Sequence, residues 1–333
     1  MASLDVFNTD AFSVQSLTLA INTEPEGQSA PQLLDSLFEE EGVSTTTVSI
    51  ESENNQLALV ADTPRGAPGA VVGGDKRNLL PFNTLHLPLR GVIRADEVQN
   101  IRAFGTDSEQ QVVESLVNAR LLKLRRMLEV TRIYHRVGAV TGKIYDADGT
   151  KVLLDIYDRF GIQQQEVDFA LMTGGTKVKG KITEAKRLAE DVIGGSGLIT
   201  GWLGICGRGF YDAFVAHASV EKAFDRYNDG AFLREDNRKG FVFDEVVWKE
   251  FYGRIGNINF IDTNSAYLIP IGIPDLLITR NAPADYMDTV NTIGLPFYGS
   301  QELLDHKKGV ELEAQSNPLS LCTRPRAIIK LKR

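Results

Sequence analysis

Four aspartates crowd the stretch GKIYDADGTKVLLDIYDRFG at residues 142–161, and loops this rich in carboxylates can hold calcium. A helix–loop–helix calcium site needs oxygen ligands at alternate positions, a glycine at the sixth and a glutamate at the twelfth. Counted from Asp146, Gly149 falls fourth and Tyr157 twelfth, so the spacing fails. Asp148 and Gly149 read instead as the turn of a β-hairpin, with Ile144 on one strand and Val152 to Ile156 on the other.

The other chemically suggestive residues are equally unassembled. Gly195, Gly197 and Gly201 in GGSGLITGWLG give G-x-G-x-x-x-G, one residue longer than a dinucleotide fingerprint; the segment enters a strand where the fingerprint leaves one, and no phosphate-binding lysine follows. It reads as a helix stop and a tight turn. His86, His135, His217 and His306 stand in no triad or zinc spacing and are expected at surfaces or interfaces. Cys206 and Cys322 lie far apart and outside any C-x-x-C pair, so each is expected to be a small buried residue in a reducing compartment. No catalytic residue, cofactor or metal is expected.

With no assembled chemistry, the elements themselves carry the information. The chain has 333 residues, 43% hydrophobic and 24% charged, with a formal charge of −8 and a pI near 5.2. That size allows about two domains, and the acidity argues against a protein whose main task is gripping nucleic acid. No basic start followed by an apolar run opens the chain, and no stretch is apolar enough to span a membrane, so a cytoplasmic chain is expected.

Residues 1–43 carry short apolar pieces without partners in the segment and read as an arm that lies on something else. From Ser44 to Val92, two β-rich stretches flank a tip containing Gly66, Gly69, Gly73 and Gly74. They read as an extended ribbon whose second strand holds the alternating Leu85, Leu87 and Leu89, and such a ribbon is marginal unless it lies on a neighbour. ADEVQNIRAFG reads as a short helix capped by Asp96.

A long helix is expected from Ser108 to Arg136, free of Gly and Pro, with acids early and bases late. At 1.5 Å per residue it would run roughly 43 Å. Val113, Leu116, Val117, Leu124, Met127, Leu128 and Tyr134 give its apolar stripe, beside a basic face. The acidic run at 39–41 and that basic face both read as solvated surfaces. After residue 179, helices and strands alternate, so the fold class is α+β or α/β.

The succession of arm, ribbon, long helix and mixed domain, with IRADEVQNIRAFG before the helix, GKIYDADGT after it and QSNPLSLCTRPRAIIK near the end, resembles the major capsid proteins of tailed bacteriophages. It is most similar to the lambda-like major capsid protein E family of the HK-ninety-seven-type fold. The resemblance implies an α+β subunit with an N-terminal arm (1–43), an extended loop (44–95) and a peripheral domain (96–178) with spine helix 108–136 and hairpin 140–157. A mainly axial domain (179–300) follows, and a last segment (301–333) returns through the peripheral domain.

It further implies a virion protein, assembled in the bacterial cytoplasm into pentamers and hexamers of an icosahedral head around double-stranded DNA. Its partners would be copies of itself, a separate scaffolding protein, a portal, and in some relatives a decoration protein, with weak contacts to packaged DNA. Candidate intersubunit residues are Asp62, Arg65, Asp75, Lys76 and Arg77 as ion-pair formers, and Leu85, Leu87 and Leu89 as interface or underlying packing residues. Arg120, Arg125, Arg126 and Arg132 of the spine helix would meet a neighbour's acids or the DNA. The alternatives are an encapsulin-like compartment shell and a nucleotide-binding α/β enzyme at 194–204.

Overall fold

A computed structural model describes residues 10–23, 34, 36–52, 78–99, 109–194, 197–227 and 240–333. Along them lie a helix at Val14–Thr23, then β1 (Glu39–Gly42), β2 (Thr47–Ser52), β3 (Asn78–Asn83) and β4 (Leu87–Arg94), and a short helix Ala95–Gln99. The long helix Glu109–Thr141 leads to β5 (Lys143–Tyr145), β6 (Val152–Asp155), the turn of helix Ile156–Phe160, β7 (Glu166–Asp168) and helix Val178–Ile193. Next come β8 (Gly201–Cys206), helices Arg208–Val215 and Ala218–Tyr227, β9 (Phe241–Phe243), β10 (Val246–Glu250), β11 (Arg254–Ile255) and β12 (Ile258–Asn259). The chain ends through β13 (Ser265–Ile271), β14 (Leu277–Asn281), β15 (Tyr298–Leu303), β16 (Gly309–Ser316), β17 (Pro318–Cys322) and β18 (Ile329–Lys332).

The chain divides into two compact units. One comprises Met1–Val48, Pro81–Ile133 and Ile278–Ser320, the other Ser49–Leu80, Tyr134–Leu277 and Leu321–Arg333.

In the first unit β15, β16 and β4 form an antiparallel sheet. Its register sets Ile93 opposite Val310, Gly91 opposite Leu312 and Leu89 opposite Ala314, so these alternate residues share one face. Two helices cover that face. Phe12 and Leu17 pack with Ile93, Val310, Leu312, Val117 and Leu121. Ile21 joins Leu124, Leu128, Phe297 and Ala314. The long helix lies against Gly91, where a Cβ would stand 3.4 and 3.5 Å from Arg120 and Leu124, at ordinary contact distance.

This packing corrects two expectations. The helix Val14–Thr23 buries Leu17 and Ile21 on its own chain rather than on a neighbour, because the apolar face of the sheet is within reach. The ribbon is formed by β2 and β3, and the chain leaves it before Leu85; β4 belongs to the other sheet, so Leu87 and Leu89 pack under the long helix of their own protomer.

The second unit is built on a sheet of order β7-β18-β13-β8-β10-β9. Its core gathers Phe169, Phe210, Phe214 and Trp248 with Ile182, Ala185 and Leu268. Phe214 lies 4.4 Å from Trp248 and 6.1 Å from Phe210, between ring centroids. Trp248 on β10 pairs across the ladder with Gly204 on β8, and a Cβ on Gly204 would stand 2.4 Å from the indole ring. The glycine is thus the seat of the tryptophan. Gly204→Ala should cost about 2 kcal/mol by overpacking, read as a lower denaturation midpoint of the dissociated subunit.

The long helix runs on to Thr141 rather than stopping at Arg136. Val137, Ala139 and Val140 are buried, and Gly138 is required because a Cβ would collide with Lys143 and Ile144 at 2.8 and 2.9 Å. Gly142, at φ 93°, ends the helix. Helices Arg208–Val215 and Ala218–Tyr227 are separated by a break at Ala216 and His217.

Candidate assembly surfaces

The aspartates at 146, 148 and 155 each have a structural task. Asp148 accepts hydrogen bonds from the amides of Lys151 and Thr150 and from the Thr150 hydroxyl, at 2.9 to 3.0 Å, and those amides hold its carboxyl below the usual range. Gly149 supplies φ 70° for the turn. Asp155 caps the next helix at the amide of Asp158, 3.1 Å away, and pairs with Lys143 at 3.0 Å. Asp146 pairs with Lys151. Among the described residues no group of three or more His, Cys, Asp or Glu side chains converges as a metal site would.

Two histidines expected at surfaces or interfaces are buried within the protomer instead. His217 is enclosed, with Nε2 3.3 Å from the Thr173 carbonyl and Nδ1 2.8 Å from Ser219 Oγ, and it starts the helix Ala218–Tyr227. His135 on the long helix is 2% exposed, and its Nδ1 has no hydrogen-bond partner among the described residues. Burial pushes its pKa down to about 4. The thiols of Cys206 and Cys322 are free and buried, as expected, and burial pushes Cys322 up to about 12.

The basic face of the long helix is not one surface. Arg120 bonds Glu97 at 2.6 Å. Arg125, buried, bonds Glu129 at 2.6 Å and the Ile21 carbonyl at 2.5 Å. Arg132, with its side chain 8% exposed, bonds Glu40. The guanidinium carbons of Arg125 and Arg132 lie 5.2 and 4.9 Å from the centre of the Phe297 ring, a cation–π arrangement. Within the protomer these three arginines are engaged with Glu97, Glu129, Glu40 and the Phe297 ring. For Arg132 the cause is the run at 39–41: it is a strand, β1, paired in parallel with β14, which brings Glu40 to Arg132 and Glu41 to Arg280 at 3.2 Å.

Arg126 differs. It is exposed, as is Lys123 one turn earlier, and neither has a charged partner among the described residues. Met127 beside them is about half exposed. The candidates Asp62, Arg65, Asp75, Lys76 and Arg77 lie outside the described residues. Leu85 is half-buried, and its amide bonds the Pro318 carbonyl at 3.1 Å.

A further surface went unread in the sequence. Gln315, Ser316 and Asn317, inside the QSNPLS phrase, are buried polar side chains, and together they clamp the segment 282–297. Asn317 donates to the Pro283 carbonyl at 3.0 Å, and its carbonyl accepts from the Ala282 amide at 2.9 Å. Gln315 donates to Asp285 at 2.8 Å, and Ser316 to the Pro296 carbonyl at 2.6 Å. Asn317 also bonds His86 at 2.8 Å. Gly294 is pressed on the strand below, where a Cβ would lie 2.0 Å from the Asn281 carbonyl oxygen.

The clamped loop points apolar groups at solvent. Met287 is 89% exposed and Ile293 71%, with Val290 and Leu295 also exposed. Within the loop, Thr289 Oγ1 lies 2.8 and 2.9 Å from the carbonyls of Ala284 and Tyr286, and Thr292 bonds the Thr289 carbonyl at 2.7 Å. A rigid loop that exposes large apolar side chains is the mark of a contact surface. The sequence signal was available: four apolar residues within 287–295 among polar ones, with no strand or helix period to bury them.

Comparison with known proteins gives a consistent answer. A family model described as phage major capsid protein E matches residues 13–333. The chain is 27% identical to the major capsid protein of Pseudomonas phage KPP10, over 87% of this chain and 89% of that one. It is 22% identical to the major capsid protein of Salmonella phage Felix O1, over 89% of each. Among solved structures it is similar to a putative capsid protein of an E. coli CFT073 prophage, with a TM-score of 0.57 at 12% identity, over 96% of this chain and 98% of that one.

Proposed function

Since the chain belongs to the phage major capsid protein E family and is a structural shell subunit of a phage head, we propose that its copies assemble as pentamers and hexamers of an icosahedral shell around double-stranded DNA. The observation that carries this reading is the extent of the family match, residues 13–333. A compartment shell for cargo and a nucleotide-binding enzyme are both disfavoured, because the family and the named relatives are phage capsid proteins.

In this reading the sheet β15-β16-β4 and the long helix belong to the peripheral domain. The large mixed sheet belongs mainly to the axial domain, and residues 44–95 contain the loop that reaches a neighbour. The work is repeated binding without turnover, so the protein is not an enzyme. Each contact can be modest because a closed shell repeats it many times. A separate scaffolding protein and a portal complete assembly in the host cytoplasm. Contact with the genome is weak and non-specific, in keeping with the net charge of −8.

Expression of the full chain, alone and with a candidate scaffolding protein from the same genome, followed by size exclusion and negative-stain microscopy, tests the proposal. Closed shells with five- and six-fold capsomers are expected. A compact monomer under both conditions would overturn it.

A further inference from the structure

We propose that the clamped loop 285–295 of one protomer docks on the exposed face of the long helix at Lys123, Arg126 and Met127 of a second copy. The inference rests on the shell reading and assigns one of the contacts which that reading requires.

Three observations support it. First, the loop's apolar side chains are held outward. Thr289 is buried and bonds back into the loop, the Leu295 amide bonds the Tyr298 hydroxyl at 2.8 Å, and Gly294 sits against the strand beneath it. The loop therefore cannot turn Met287 and Ile293 inward without breaking those bonds.

Second, the two surfaces are complementary. The loop carries Asp288, exposed and with no charged partner among the described residues. The helix face carries two exposed cations, also without charged partners among the described residues, around a half-exposed methionine. An apolar centre with a charge of one sign at its edge faces an apolar centre edged by the other sign, which suits a specific contact.

Third, the two patches are different surfaces of one chain. Their contact is head-to-tail, the kind that generates rings when the rotation closes. A capsomer is such a ring.

The test uses the full chain under whatever conditions give wild-type particles. Met287→Ser/Ile293→Ser should lower particle yield at least tenfold by sedimentation and microscopy. Asp288→Lys, and separately Lys123→Glu/Arg126→Glu, should each do the same at low salt, and combining the two charge reversals should recover most of the yield. All the altered residues are exposed, so thermal unfolding of the dissociated subunits should match wild type, which separates assembly from folding. Normal particles from the serine variant would overturn the docking, as would a combined reversal no better than its parts. If wild type itself forms no particles, the shell reading falls and this inference with it.

Discussion

Arg132→Ala is expected to destabilise the isolated subunit by about 3 kcal/mol, the lower end of the range for removing one member of a buried ion pair. Its guanidinium bonds Glu40 and lies over the Phe297 ring, so truncation would leave Glu40 with Asn281 Nδ2, at 2.8 Å. The Glu40 side chain is 30% exposed, so water softens the loss and keeps it at that lower end. Arg132→Lys should recover only part of it, since an ammonium keeps the charge but not the planar stacking on Phe297. Arg126→Ala, at an exposed position, should change stability by less than about 0.5 kcal/mol. Denaturant unfolding of dissociated subunits measures all three. Equal midpoints for Arg132→Ala and Arg126→Ala would mean that both arginines face outward, as the sequence alone suggested.

That pair of arginines shows where the sequence was legible and where it was not. Periodicity announced the long helix, and Val117, Leu124 and Leu128 are buried where the stripe put them. Met127, in the same stripe, is exposed, while Leu121, outside it, is buried. Arg125 and Arg132 lie seven residues apart, two helical turns, and both reach Phe297. Hydrophobic patterning ranks charged residues as exposed, and it has no way to register that Glu40 and Phe297, far along the chain, would make burial tolerable. The same limit explains the leucines of β4. Their alternation correctly signalled a half-buried strand, but the choice of sheet was set by β16, more than two hundred residues later.

The DADG turn and the two free cysteines were legible because their chemistry is local: a carboxylate bonding its own next amides, or a small apolar thiol in an apolar run. The clamp made by Gln315, Ser316 and Asn317 was not. Polar residues at the end of a strand look like a turn until the carbonyls of Pro283 and Pro296 are found against them. Burial of such side chains is tolerable only when they are bonded, and here the bonding fixes the loop that presents Met287 and Ile293. The residues that marked the family in the sequence thus shape the proposed contact without belonging to it.

His135 predicts an acid sensitivity with a defined window. In the unfolded chain a histidine titrates near 6.5, and in the folded protein burial holds this one neutral down to about 4. Between those values the unfolded state binds a proton that the folded state refuses, so stability is full above about 6.5 and declines as pH falls. The shift amounts to about 3 kcal/mol once pH is below 4, at 1.4 kcal/mol per unit. Asp146 is the nearby charge that favours protonation, but its effect is smaller than that of burial. A neutral, apolar replacement of similar size, His135→Phe, should remove this component while the carboxylates continue to titrate. The stability curves of the two proteins, measured by urea unfolding of dissociated subunits from pH 7.5 to 4, should therefore diverge below about 6.5, with wild type falling faster. Parallel curves would place the ring in water when the subunit stands alone. The physical cause is the site's enclosure on a helix that Tyr134 and Val137 flank: an imidazole whose Nδ1 finds no acceptor gains nothing from a proton and loses its hydration in taking one.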